Sequence, residues 1–169
     1  MKKKVLIVTH LASMVSSFLM PNIKLLSSIG YEVEVASNFK QGSTCSDYII
    51  KALLNSLSTL KIKTHQVDFN RNPLSMSNLR AYKTLYKIIK EGNFTLIHCH
   101  NPISGVCARI IAHKKNIPVI YTVHGFHFYK GAPLINWLIY YPIEYLLSYY
   151  TDVLITINHE DYNRRQLPN

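Results

Sequence analysis

A parallel α/β sheet with helices on both faces is the fold class this sequence predicts, and three observations predict it. Short β-branched apolar runs alternate with helical patterns from one end to the other, the signature of βαβ units. The apolar runs mostly lack strict apolar–polar alternation, as strands covered on both faces should. Six of the eight histidines fall at or just past the carboxyl ends of those runs, the edge at which open parallel sheets bind ligands. At 169 residues, 48% hydrophobic and 17% charged, the chain is sized for one domain with one well-buried core.

Taken in order, the predicted strands are Lys4 to Thr9, Tyr31 to Ala36, Lys61 to Phe69, Thr95 to His100, Pro118 to Val123 and Asp152 to Asn158. Between the first two, Pro21 to Ile29 reads as a helix with proline in its first turn and Gly30 as its stop. Ser75 to Glu91 is the clearest helix, because Leu79, Tyr82, Leu85, Tyr86 and Ile89 recur at three and four residues while Arg80, Lys83, Lys87 and Lys90 lie elsewhere around it. Asn101-Pro102 reads as an N-cap followed by proline at the first helical position, opening a helix through Ala112. Leu134 to Tyr150 is apolar nearly all round. Pro142, Glu144 and five tyrosines make it poor hydrocarbon filler, so a buried helix kinked at Pro142 is expected rather than a membrane span. The same segment would place Trp137, Tyr140 and Tyr141 at a lipid interface if it also touches a membrane surface.

Composition narrows the function classes. Nineteen Lys and Arg against nine Asp and Glu give a net charge of +10, which attracts nucleic acid, anionic lipid or phosphorylated substrates alike. The twelve tyrosines concentrate in apolar segments instead of interleaving with Lys and Arg, which argues against a nucleic-acid partner. Cys45, Cys99 and Cys107 are an odd count without a CxxC pair, so neither a disulfide framework nor a zinc knuckle is indicated and a reducing cytoplasm fits. The amino-terminal apolar run breaks at Thr9-His10, too soon for a signal peptide. No GxGxxG follows the first strand, which removes the main argument for a dehydrogenase.

The histidines are His10 after the first strand, His98 and His100 at the end of the fourth, His124 and His127 after the fifth, and His159 after the last. Along a strand His98 and His100 share a face while Cys99 points the other way. That spacing suits two metal ligands, but no further ligand recurs nearby, and no metal is expected. The helix opening at Asn101-Pro102 adds unpaired N–H groups and a positive dipole end at the same edge. Arg71 and Lys130, each in a loop near this edge, are candidate cations for an acceptor phosphate or else solvated surface charges.

The segments "KVLIVTH", "GYEVEVAS", "RNPLSMSNLRAYKTLYKII", "LIHCHNPISGVCAR", "VIYTVHGFHFYKGAPLINWLIYYPIE" and "TDVLITINHEDY", in that order, resemble the amino-terminal domain of family 4 glycosyltransferases of the GT-B fold, above all bacterial capsule and exopolysaccharide enzymes. The resemblance covers almost the whole chain, and "HGFHFYKG" is its most specific part. It implies a Rossmann-like, acceptor-side half of a retaining enzyme that moves a sugar from a nucleotide donor to an acceptor in surface polysaccharide synthesis; the basic surface and the Trp137 to Tyr150 segment would suit a lipid-linked glycan acceptor. It further implies a donor-binding domain as partner, in the same chain or another, and no cofactor beyond the nucleotide-sugar co-substrate; the composition adds the expectation of a cytoplasmic place, peripheral on the inner face of the membrane. A non-catalytic acceptor-binding subunit that works with a separate donor-binding chain is the alternative. By position, His124 matches the family's cleft histidine, and Gly125 would let backbone approach the substrate. His98, His100 and Asn101 go to the acceptor side, and Phe126, His127 and Lys130 to a wall over it. Ser13 and Met14 stand where many relatives carry a glycine pair against the donor phosphates.

Overall fold

The computed structural model describes residues 3–40, 45–129 and 131–164. Six strands, β1 (Lys4–Leu11), β2 (Glu32–Asn38), β3 (Lys63–Gln66), β4 (Leu96–His100), β5 (Val119–Val123) and β6 (Val153–Thr156), form one sheet in the order β3-β2-β1-β4-β5-β6. Every neighbouring pair is parallel. The third strand is shorter than its apolar run, because Lys61 sits at φ 58 and Phe69 turns back to bond the Val67 carbonyl, so the ladder holds only over Lys63–Gln66.

The helices are α1 (Ala12–Met14), continued by a π-helical turn over Val15–Leu19, then α2 (Met20–Ser28), α3 (Asp47–Thr59), α4 (Ser77–Glu91), α5 (Pro102–Lys115), α6 (Leu134–Ser148) and α7 (His159–Arg164). Helix α2 ends as expected, with Gly30 at φ 92 accepting the left-handed turn that a side chain disfavours. Helix α3 was legible but unread: Ile50, Leu53 and Leu57 recur at helical spacing and are the residues it buries.

Two cores lie on opposite faces of the sheet. Val5, Ile7, Val33 and Val35 meet Ile23, Ile50, Leu53 and Leu57 from α2 and α3. Leu6, Val8, Ile97, Cys99 and Tyr121 meet Ala81, Leu85, Ile89, Ala108 and Ile111 from α4 and α5. Gly105 lets α5 approach β5 closely, since a Cβ there would come within 2.8 Å of the Tyr121 ring.

Helix α6 corrects the sequence reading. It is one continuous helix through Pro142, but Leu147 is its sole buried residue. Its single charge, Glu144, points inward to meet Arg109 at 2.8 Å, while the aliphatic side chains other than Leu147 are exposed. The buried, 1%-exposed Arg109 guanidinium also lies 3.9 Å over the Tyr121 ring, and Tyr121 donates to Glu144 at 3.3 Å. A buried arginine needs an inward carboxylate, and supplying it from α6 leaves the helix's apolar side outward. Among the described residues no helix is long and apolar enough to cross a membrane.

Candidate active site

Strand order reverses between β1 and β4: from that point the chain builds outward to β2 and β3 on one side and to β5 and β6 on the other. A crevice must open there beyond the carboxyl ends of the strands. An open cleft of about 480 Å³ occupies the position, lined by His10 and Leu11 from β1, Ser13, Met14, Ser17 and Phe18 from the helical run that follows, Arg71 and Pro73 from the β3–α4 loop, Asn101 to Ile103, and His127 with Tyr140.

Asn101 is the pivot of this crevice. Its backbone stands at φ 63, ψ 150, a region that is nearly glycine-only and costs on the order of 1–3 kcal/mol for another residue. Its side chain does not cap α5, as its position suggested, but reaches across to β1. The Thr9 hydroxyl donates to Oδ1 at 2.7 Å and the His10 backbone N–H at 3.4 Å. A backbone N–H can only donate, so it fixes the amide with oxygen toward β1 and leaves the NH₂ as the free end of a cleft-lining residue. Strain is thus accepted to hold one amide across the switch point.

β1 passes directly into helical backbone at Ala12. Ser13, buried, and Met14 lie on the cleft wall. The π-helical turn that follows places Ser17 and Phe18 on the same wall, and such turns favour functional sites.

Beneath the cleft three imidazoles run side by side. His98 is in register with Ile7 and so lies on the α2–α3 face of the sheet, with His100 two residues on. Their rings are 4.3 Å apart, and His100 and His124 are 5.5 Å apart. His98 Nε2 meets the Thr122 hydroxyl at 2.8 Å, and His100 Nδ1 meets His124 Nε2 at 3.2 Å. His100 Nε2 is buried without a partner, and an orphaned lone pair is cheaper there than an orphaned N–H. The favoured tautomer therefore has His100 donating from Nδ1 to His124 Nε2, so that His124 carries its own proton on Nδ1.

Burial lowers all three pKa values. His98 falls to about 4, through desolvation first and then the neighbouring His124. His100 falls to about 2 by desolvation and by both neighbours. His124, half-buried, is lowered by desolvation. The cluster is neutral at physiological pH. His10 is lowered as well, by burial and then by Arg71. Among the described residues no three His, Cys, Asp or Glu are disposed to hold a metal ion.

The sequence-predicted residues therefore divide. Ser13, Met14, Arg71, Asn101 and His127 line the cleft. His98, His100 and His124 form the layer beside it, joined through Phe18, whose ring lies 6.3 Å from that of His124. Gly125 has φ 123, a conformation suited to glycine, and is exposed. Phe126 turns away from the cleft: it stacks on Phe128 at 4.7 Å, packs on the α4–α5 core, and its N–H donates to Asp161 at 3.1 Å. Lys130 lies outside the described residues. His159 stands apart, in a surface hollow with Asn158 and Tyr162. His10, placed at this edge from the sequence, does line the cleft, whereas Phe18 and Tyr140 were not expected there. His10 was flagged by its place at a strand end, whereas Phe18 depends on a π-helical turn that no pattern announces. Tyr140 is fixed by stacking on His127 at 4.5 Å.

The profile of a family described as "Glycosyl transferase 4-like" matches residues 4–158. EpsD of Bacillus subtilis (strain 168), provisionally named a glycosyltransferase, is 40% identical over 167 residues, which are 97% of this chain and 40% of that protein. An Escherichia coli UDP-Gal:alpha-D-GlcNAc-diphosphoundecaprenol alpha-1,3-galactosyltransferase is 30% identical over 92 residues, 54% of this chain and 24% of that enzyme. Among solved structures, Acinetobacter baumannii MurG superposes with a TM-score of 0.59 at 14% identity, over 94% of this chain and 42% of that one, which speaks to the fold alone. The chain spans about two-fifths of the length of EpsD and about a quarter of the E. coli enzyme.

Proposed function

This chain belongs to the glycosyl transferase 4-like family, and from that premise we propose that it is the acceptor-side half of a retaining glycosyltransferase that extends a lipid-linked glycan in capsule or exopolysaccharide synthesis. The observation that carries the reading is the buried neutral imidazole layer ending in His124 beside the switch-point cleft. In such a transfer the bond from the anomeric carbon to the donor phosphate oxygen breaks. The acceptor hydroxyl oxygen forms the new bond, and its proton leaves with the departing diphosphate.

In this reading His124, oriented by His100, offers Nδ1–H as a hydrogen-bond donor to a donor-sugar oxygen, a role open to a neutral imidazole. The Asn101 amide donates from the cleft wall, and Arg71 holds an acceptor phosphate as a charge-assisted partner. Ser13 takes the place of a glycine contact to the donor phosphates. A donor-binding domain supplies the nucleotide site, and Arg71 on the cleft wall offers a charge to a lipid diphosphate like that named for the E. coli relative.

The test is His124→Ala, assayed for transfer with the donor-binding half present in the same polypeptide or added to it. Turnover is expected to fall by roughly 10²–10³, the usual effect of removing one transition-state hydrogen-bond donor, with the circular dichroism spectrum unchanged. Turnover within a few-fold of the parent rejects the assignment.

A further inference from the structure

The wall of the crevice carries a large apolar side chain that the core does not use. Ala12, Val15, Leu19 and Ile23 recur at helical spacing after β1, and all four are buried against the sheet. Phe18 stands one residue off that row, 61% exposed, within the π-helical turn Val15–Leu19. A lone exposed phenyl on a convex surface needs no explanation. This one lines a concave site instead, on the same wall as Ser13 and Ser17, and its ring lies 6.3 Å from that of His124, tilted by 49°. Leu25, 60% exposed on α2, lies outside the cleft lining and so serves as a comparison of equal exposure.

The groups around the ring define what it meets. Asn101 presents its free NH₂, Ser13 and Ser17 bring hydroxyls, and His124 follows with a neutral imidazole. An apolar plate rimmed by neutral hydrogen-bonding groups is the complement of a pyranose. The sugar ring has a face of axial C–H bonds, weakly positive, which suits the negative face of an aromatic quadrupole. Its hydroxyls lie around the edge, where a polar rim can hold them. A phosphate has no apolar face to place on the phenyl, and a nucleobase has fewer edge groups for such a rim.

We infer that Phe18 is a stacking platform for a pyranose, the terminal sugar of the acceptor glycan, which lies on the phenyl face with its hydroxyl edge toward the polar wall of the cleft. The stacking is argued from the geometry; the choice of the acceptor's sugar rests on the acceptor-side reading given above.

Proton NMR of methyl β-D-galactopyranoside and methyl β-D-glucopyranoside mixed with the chain reads the stacking directly, because a proton held over an aromatic face moves upfield. Upfield displacement of the axial ring protons relative to the methoxy group is expected with the parent and with Phe18→Trp. It should be lost in Phe18→Leu, which keeps an apolar side chain beside His124 but has no π face, while Leu25→Ala matches the parent. In a polypeptide that also carries the donor-binding half, Phe18→Leu should raise the KM for the acceptor about tenfold, with the KM for the donor unchanged and kcat within a few-fold. The inference is overturned if neither pyranoside is displaced by the parent, if Phe18→Leu retains the displacement, or if uridine is displaced in their place. A rise in the donor KM with a constant acceptor KM overturns the assignment to the acceptor's sugar. Displacement lost in Phe18→Leu, in a complete polypeptide that transfers no sugar, would instead overturn the glycosyltransferase reading and leave the platform standing.

Discussion

Asn101 shows how a single residue can trade stability for a site. At φ 63, ψ 150 it occupies backbone space that glycine enters freely, yet it gives no side-chain cap to the helix it opens. What it gains is a fixed bridge to Thr9 and His10 across the strand reversal. If that bridge serves the cleft, Asn101→Gly removes backbone strain and a hydrogen bond of similar size, so urea-denaturation stability should change by less than about 1 kcal/mol. Transfer activity should nevertheless fall, by about tenfold or more for a lost oriented donor. A large loss of stability with normal activity would make Asn101 a structural strut only. The position of Asn101 was legible in the sequence, as the residue between a strand of histidines and a helix with proline at its start. Its use was not, because the partners Thr9 and His10 are ninety residues away and only the β1–β4 pairing brings them near.

At the scale of elements, β1, β2, β4 and β5 were legible because each is a short β-branched run bounded by polar residues or turns, and their largely buried faces suppress alternation, whereas β3 and β6 at the sheet's two edges are far less buried. Helix α6 was misread for a reason that periodicity cannot reveal. Its sequence is apolar nearly all round, and only the buried Arg109 decides which side turns inward. That gives the Arg109–Glu144 pair a specific job. Removing the carboxylate leaves a buried guanidinium without its counter-charge, and one of its nitrogens, Nη2, already lacks a protein partner. Glu144→Ala should therefore cost about 3–5 kcal/mol in chemical denaturation. Arg109→Met with Glu144→Leu, which removes both charges, should recover most of the loss. A single variant that unfolds within about 1 kcal/mol of the parent would show that α6 is held by its aromatic contacts with Phe128 and His127 alone.

At the scale of the whole molecule, the sheet order puts helices α2 and α3 over β1 to β3 on one face and leaves β4 on that face to carry His98 and His100 where an aliphatic core would otherwise continue. This couples the site to global stability. Unfolded, each imidazole titrates near pH 6.5. Folded, His98 holds out to about 4 and His100 to about 2, because burial disfavours the charged ring. As pH falls below 6.5 the unfolded chain takes up protons that the folded chain refuses. Stability is then fully present above pH 6.5 and lost on acidification, by about 1.4 kcal/mol per pH unit for each such histidine. With two of them, urea midpoints measured from pH 7.5 to 4.5 should report a fall of roughly 2.7 kcal/mol per unit over the lower half of that range. His100→Asn should remove about half of the slope while leaving that of His98. A flat profile between pH 6.5 and 4.5 would mean that the rings are solvated and charge freely. In that case the neutral donor role proposed for His124 would lose its physical basis, since the low dielectric that keeps His100 neutral also keeps His124 in the tautomer that faces the substrate.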